Sequence, residues 1–205
     1  MIYKLVALIL LGVVGAFPGS AQQETIPQAI ARGARGRHTS IGSGVLSNPP
    51  NFLADTNLVV RGVVGDPRSF LSDDEMNIYT EYPLLNMMTL YDSDVAVSAR
   101  PGPVSRRPIA VAQLGGTMTI NGREFDQSEA GLPPLRPGTE CLFLLQRIGE
   151  RHYIIGSHHG AFAIVKGNLE PLAVSPLFEG EYRGLTVAQG TARIIDRVRA
   201  ARSKG

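Results

Sequence analysis

The feature that most constrains the fold of this chain is a succession of short β-branched segments separated by turn residues. The segments are residues 57–65, 77–90, 109–114, 117–120, 140–147, 151–156 and 160–165. Glycine or proline lies between most of them, and the Asn121-Gly122 pair favours a tight hairpin turn because both residues accept a positive φ. Short strands at this spacing, with little helical periodicity between them, are typical of an antiparallel barrel or sandwich. We therefore expect a mainly β fold.

The first 21 residues have the pattern of a secretory signal peptide. Lys4 supplies a positive charge, residues 5–17 form an apolar run of 13, and small residues precede Gln22. The run is shorter than the roughly 20 residues that a membrane-spanning helix needs. We expect cleavage near Ala21, an exported protein in the periplasm or outside the cell, and no stable membrane anchor. Residues 22–50 are rich in Gly, Ser, Arg and Pro and predict a flexible leader.

The chain contains one cysteine, Cys141, so no internal disulfide can form. An exported protein of this kind depends on burial rather than on cross-links for its stability. Cys141 begins the apolar run Cys-Leu-Phe-Leu-Leu. We expect a buried thiol without a catalytic role, because the local sequence offers no activating base.

The C-terminal residues differ in pattern from the rest of the chain. Thr186 predicts the N-cap of an amphipathic helix in which Val187, Ile194 and Val198 share one face. We expect this helix to pack across an open end of the barrel, and a peripheral membrane helix is the alternative. The predicted organisation is a signal peptide (1–21), a flexible leader (22–50), a β-barrel domain (51–182), and a helix with a basic tail (183–205).

Charge is unevenly distributed along the chain. Residues 51–182 contain 10 basic and 16 acidic residues, whereas residues 183–205 contain six basic residues and Asp196. A mildly acidic domain with basic, solvated ends explains this pattern, and a site for an anionic partner is the alternative. Single-stranded nucleic acid is bound by basic grooves with exposed aromatic rings. Here Tyr79, Tyr82 and Tyr91 lie in an acidic stretch, which argues against a nucleic-acid partner.

Three segments, residues 54–64, 78–82 and 135–144, resemble a loose group of uncharacterised exported bacterial proteins. That group is similar to the netrin-like and tissue-metalloprotease-inhibitor class of OB-fold barrels, whose first strand follows a comparable Ala-Asp…Val-Val-x-Gly-x-Val pattern. The resemblance implies an antiparallel OB-like barrel of five to seven strands with a C-terminal amphipathic helix. The inhibitors of this class act through an N-terminal cysteine in a disulfide framework. No cysteine lies near the mature start here, so inhibitory activity is not expected.

A metal site is one candidate function, because His152, His158 and His159 are clustered in the sequence. Gly156 and Gly160 allow the chain to bend between these histidines, although their spacing matches no standard zinc motif. The alternative interpretation is a set of exposed turn histidines. If the three rings converged, the protein would be a metal carrier or a metal-dependent hydrolase.

A non-catalytic binding module is the leading prediction, because no nucleophile, phosphate-binding loop or acid–base pair stands out. OB-fold barrels commonly bind ligands on one face. We expect no cofactor, and a protein or an envelope glycan as the partner; the oligomeric state is left open. The predicted ligand-binding residues are Arg100, Arg106 and Arg107 in the proline-rich loop 92–108, with Tyr79 and Tyr82 on the neighbouring strand.

Overall fold

A computed structural model describes residues 24–39, 49–94, 109–129, 131, 133–156, 159–173 and 179–203. In this part of the chain the helices are α1 (Ile26–Ala31), α2 (Pro49–Asp55) and α3 (Val187–Arg202), and Glu179–Tyr182 forms a 3-10 turn. The strands are β1 (Gly36–Thr39), β2 (Leu58–Val64), β3 (Arg68–Leu71), β4 (Ile78–Asp92), β5 (Ala110–Leu114), β6 (Gly116–Ile120), β7 (Arg123–Glu129), β8 (Glu140–Ile148), β9 (Arg151–Ile154), β10 (Ala161–Val165) and β11 (Asn168–Pro171). The mainly β fold is confirmed. The predicted signal peptide lies outside the described residues.

Five strands close into a barrel in the order β8, β2, β4, β5, β9 and back to β8. The junctions are antiparallel except between β5 and β9, where Val111 pairs with His152 and Ala112 with Tyr153 in a parallel register. Strand directions cannot alternate all the way round a closed ring of five, so at least one junction has to be parallel. The sheet is therefore mixed, where the sequence analysis expects an antiparallel one.

The barrel interior is filled by side chains from all five strands. They are Leu58, Val60, Val64, Tyr82, Leu84, Val111, Cys141, Phe143, Leu145 and Ile154. Cys141 is fully buried, as predicted. Burial raises the pKa of its thiol to about 12, so the thiol is protonated and unreactive at neutral pH.

A second apolar layer covers the outer face of β2, β8 and β10. It is formed by α2, α3 and the 3-10 turn, which pack against each other and against the sheet. The buried side chains of this layer are Leu53, Val59, Leu142, Leu144, Ile155, Phe162, Leu169, Tyr182, Ile194 and Val198. Leu90 and Tyr91 at the end of β4 also pack against this layer, which includes no described residue of β5 or β9.

Helix α3 confirms the predicted C-terminal helix and its cap. The Thr186 hydroxyl accepts a hydrogen bond from the Gln189 amide at 3.3 Å, and the Gln189 side chain accepts one from the Thr186 amide at 3.2 Å. Ile194 and Val198 are fully buried beside Val59 and Leu142, so this face does not serve a peripheral membrane helix. The helix packs on the outer face of the sheet, which corrects the expectation that it lies across an open end of the barrel. Among the described helices, none is long and apolar enough to cross a membrane.

Part of the predicted flexible leader is folded, which corrects that expectation. Ile26 and Ile30 of α1 are buried beside Phe125 in a third apolar cluster. Strand β1 pairs in parallel with β7, which pairs with β6 to complete a separate three-stranded sheet. The apolar pattern of this segment is too short to stand out in a Gly- and Arg-rich sequence, and its core partner Phe125 lies about a hundred residues away.

Candidate functional site

An open cleft of about 390 Å³ lies on the outer surface of the barrel, over β5 and β9. Its lining comes from β4, β5, β8, β9 and the turn after β9: Tyr79, Ala112, Leu114, Gln146, Ile148, Tyr153, Ile154 and Gly156. Ligand sites in proteins commonly have volumes of about 300–1,000 Å³. The cleft is thus large enough for a small ligand or for one segment of a polymer.

Strand register places the lining residues side by side. Phe70 of β3 lies opposite Tyr79, which lies opposite Leu114 on its other side. One row further along, Tyr153 lies between Ala112 and Gln146. Because residues directly opposite in a sheet project to the same face, side chains from five neighbouring strands form one continuous surface.

Three aromatic rings meet on this surface. The Tyr79 and Tyr153 rings are 5.4 Å apart with an interplanar angle of 75°, an edge-to-face arrangement. The Phe70 and Tyr79 rings are stacked, with centroids 5.7 Å apart and an angle of 21°. Both tyrosines are only partly buried. The rings therefore offer apolar area and two hydroxyl groups to a ligand.

Arg151 lies at the edge of the aromatic cluster. Its guanidinium is 4.3 Å from the centroid of the Phe70 ring, and its Nε lies 3.5 Å from Glu81 Oε1. Arg151 is on β9 and Phe70 is on β3, and β5 and β4 lie between these strands in the sheet order. The charges of Arg151 and Glu81 thus offset each other beside the cleft.

The electrostatic potential around Tyr79 is slightly negative. Burial, followed by the proximity of Tyr153, Asp74 and Glu129, raises the pKa of Tyr79 above its usual value of 10.0. The hydroxyl is therefore protonated at neutral pH and is able both to donate and to accept a hydrogen bond.

The structure separates the two tyrosines predicted to bind a ligand. Tyr79 is on the outer face, whereas Tyr82 is only 3 % exposed and belongs to the barrel interior. Because the two residues are three positions apart in one strand, their side chains project to opposite faces of the sheet. Tyr82 is thus a core residue and lies away from the cleft. The other predicted contacts, Arg100, Arg106 and Arg107, lie outside the described residues.

The described histidines of the predicted metal site have different surroundings. His152 lies opposite Arg147, which donates to its Nε2 at 3.4 Å. His159 is 1 % exposed and stacks on Phe52, with ring centroids 5.5 Å apart. His158 is outside the described residues. Within those residues, no group of three or more His, Cys, Asp or Glu side chains is placed to hold a metal ion.

A polar cluster closes one end of the barrel around His152. The Arg147 guanidinium pairs with Asp94 and, at 3.5 Å, with Asp92, while its backbone amide donates to Asn57 Oδ1 at 2.7 Å. His152 is half-buried, and its pKa is lowered by burial first and then by Arg147, with Asp92 opposing. The neutral imidazole is the form that accepts the hydrogen bond from Arg147.

Sequence reasoning missed Phe70, Gln146, Arg151 and Tyr153 as parts of the outer-face site. Arg151 and Tyr153 alternate with His152 along β9, and this period of two was the available indication that they share a face. The pairing of β9 with β5 and of β3 with β4 depends on long-range strand register, which the sequence pattern does not predict.

No protein-family model, curated protein or solved structure matches this chain. The candidate site is therefore defined by its own chemistry. It combines partly exposed aromatic rings, an amide and hydroxyl groups in a cleft whose described lining residues are all uncharged. Such an arrangement can bind and orient a ligand through apolar contact and hydrogen bonds.

Proposed function

We propose that this chain is an exported, non-catalytic binding module with an OB-like barrel, and that it holds its ligand in the outer-face cleft. The observation that carries the proposal is the meeting of Phe70, Tyr79 and Tyr153 beside a cleft of about 390 Å³. The proposed ligand is an envelope glycan or a protein segment.

The strand order supports the OB-like topology. An OB fold is a five-stranded Greek-key barrel. In chain order the barrel strands here are β2, β4, β5, β8 and β9. After β5 a long connection brings the chain back to the barrel, where β8 pairs with β2. The last strand, β9, then lies beside β5. The first strand thus contacts the second and the fourth, as a Greek-key closure requires.

The position of the cleft supports the binding role. OB folds bind oligosaccharides and oligonucleotides on the face of the second and third strands, with help from the loops between strands one and two and between strands four and five. The second and third strands here are β4 and β5. Phe70 comes from the connection between β2 and β4, and Arg151 follows the turn between β8 and β9. All of these elements border the cleft.

An envelope-binding assay tests the proposal. The purified protein would be sedimented with an isolated bacterial envelope fraction, and the bound share compared among the wild type, Tyr153→Ala, Gln146→Ala and Val165→Ala. Val165 is 48 % exposed and lies on β10, away from the cleft. We expect the two cleft variants to lose binding and Val165→Ala to retain it. Equal retention of all four proteins would overturn the proposal, provided that thermal melts show each variant folded.

Export is tested separately. Fractionation of cells that express the full chain should place a shortened protein outside the cytoplasm, with its N-terminus near Gln22. A full-length protein that stays in the cytoplasm would contradict export while leaving the binding assay valid.

A further inference from the structure

We propose that the ligand of the outer-face cleft is an uncharged saccharide, which packs against Tyr79 and Tyr153 and forms hydrogen bonds with their hydroxyls and with Gln146. This inference rests on the proposed binding function and specifies its ligand class. Four properties of the cleft carry it: its charge, its hydrogen-bonding groups, the pairing of its strands and the geometry of its aromatic rings.

Charge argues against an anionic polymer. Among the described residues, those that line the cleft are uncharged. In the described part of the chain, Arg151 lies beside the aromatic cluster and is engaged by Glu81 and by the Phe70 ring. Arg68 of β3 is paired with Glu81 in the strand register. Binding of nucleic acid or another polyanion draws its affinity from cations that are available to the ligand. Asp74 and Glu129 near Tyr79 also disfavour a negative charge here.

The polar groups of the cleft suit hydroxyl-rich ligands. A tyrosine hydroxyl both donates and accepts, and a glutamine amide offers a donor and an acceptor side by side. Saccharide hydroxyls have the same dual capacity. In the described part of the chain, no hydrogen bond engages the side chains of Tyr79, Tyr153 or Gln146. A purely apolar ligand would cover these polar groups without pairing them, at a cost in affinity.

The strand pairing argues against an extended peptide. Peptides that add to a sheet need a strand edge with free backbone donors and acceptors. The strands beneath the cleft, β4, β5, β9 and β8, belong to the closed barrel and are paired on both sides. In the described part of the chain β3 pairs on one side only, but a peptide over β4, β5, β9 and β8 would find no free strand edge to pair with.

The aromatic geometry suits a pyranose ring. The C–H groups of such a ring carry a small positive charge and pack against the negative face of an aromatic ring. Tyr79 and Tyr153 stand at 75° to each other, so a ligand ring on one tyrosine is flanked by the other. Gln146 lies directly opposite Tyr153, within reach of equatorial hydroxyls.

The test is isothermal titration of the purified protein with neutral and charged tetrasaccharides. The neutral probes are chitotetraose, cellotetraose, maltotetraose and xylotetraose, and the charged probe is tetragalacturonate. We expect at least one neutral probe to bind more tightly than the charged one. Tyr153→Ala should weaken that binding at least tenfold, Tyr153→Phe less, and Val165→Ala not at all. The chain has six Tyr and no Trp, so tyrosine fluorescence provides a second measurement.

The inference is overturned if no neutral saccharide binds, if tetragalacturonate binds most tightly, or if Tyr153→Ala leaves the affinity unchanged. These outcomes are distinct from failure of the proposed function. If the protein binds the envelope fraction through the cleft and the saccharides do not displace it, the binding function is retained and the saccharide ligand is rejected. Loss of all cleft-dependent binding would reject both. Tyr79→Phe, which keeps the ring, replaces Tyr153→Ala if that variant does not fold.

Discussion

The guanidinium of Arg151 lies 4.3 Å from the centroid of the Phe70 ring, although β5 and β4 separate the strands that carry the two residues. The contact joins the beginning of β9 to a short strand outside the barrel circuit. Phe70 also stacks on Tyr79, which lines the cleft. The candidate site therefore depends on the packing of two strands that are distant in sequence.

A double-mutant cycle with Arg151→Ala and Phe70→Leu should show a coupling of about 0.5–1 kcal/mol in the free energy of unfolding. The value is small because the Arg151 side chain is 40 % exposed and solvent screens its charge. Urea denaturation of the four proteins measures it. The control is Arg183→Ala, because Arg183 pairs with Glu170 elsewhere in the protein. Its effect on the free energy of unfolding should be additive with that of Phe70→Leu. A coupling no larger than that of the control would contradict the contact.

The free energy of unfolding should depend on His152 in mildly acidic solution. The pKa of His152 is lowered from 6.5 in the folded protein, so the unfolded chain binds the proton more readily. Stability is therefore full above pH 6.5, falls as the pH drops through 6.5, and levels off below the lowered pKa. His152→Gln should reduce this slope in denaturation curves recorded between pH 7.5 and pH 5. Identical slopes in both proteins would show that His152 keeps its ordinary pKa.

Gly116→Ala should strongly destabilise the fold. Gly116 has a φ of +142°, and an added Cβ would lie 2.2 Å from the Thr80 hydroxyl oxygen and 2.7 Å from that of Ser69. We expect a loss of more than about 1 kcal/mol from the unfavourable backbone conformation and the clash. The matched control is Gly180→Ala, because a Cβ at Gly180 meets no atom within 4 Å. A control variant that loses as much stability as Gly116→Ala would refute this account.

Thr186→Ala should lower the free energy of unfolding by about 1 kcal/mol, the usual contribution of an N-cap side chain. The hydroxyl of Thr186 caps α3, and this helix buries Ile194 and Val198 against the sheet. Thr186→Ser retains the hydroxyl and should stay close to the wild type. Thermal and urea denaturation of the three proteins provide the comparison, and equal losses for Ala and Ser would argue against the cap.

Local chemistry predicted the features that depend on neighbouring residues. Asn121 and Gly122 have φ values of +51° and +74°, as a hairpin turn of this type requires. Thr186 caps α3 at the predicted position. Each of these outcomes follows from a few adjacent side chains and needs no knowledge of distant partners.

Features that depend on distant partners were not predicted. The parallel junction of β5 with β9 follows from closure of the five-stranded ring, and the sequence of neither strand indicates it. The burial of Ile26 against the cluster that contains Phe125 requires a second sheet. For the site, Tyr79 and Tyr82 are chemically alike, so only their placement in the barrel reveals that one is outside and the other inside. Tyr153 became part of the site through register alone.

The β5–β9 junction has a further consequence for how the site should behave. Its register is short, running from Val111 and His152 to Ala112 and Tyr153, and the cleft extends over it from Leu114 to Tyr153. Short pairings are where a closed sheet opens first during local unfolding. A ligand that touches both strands binds only while the junction is shut, so it should slow hydrogen exchange at the amides that pair β5 with β9 more than at other amides of the barrel.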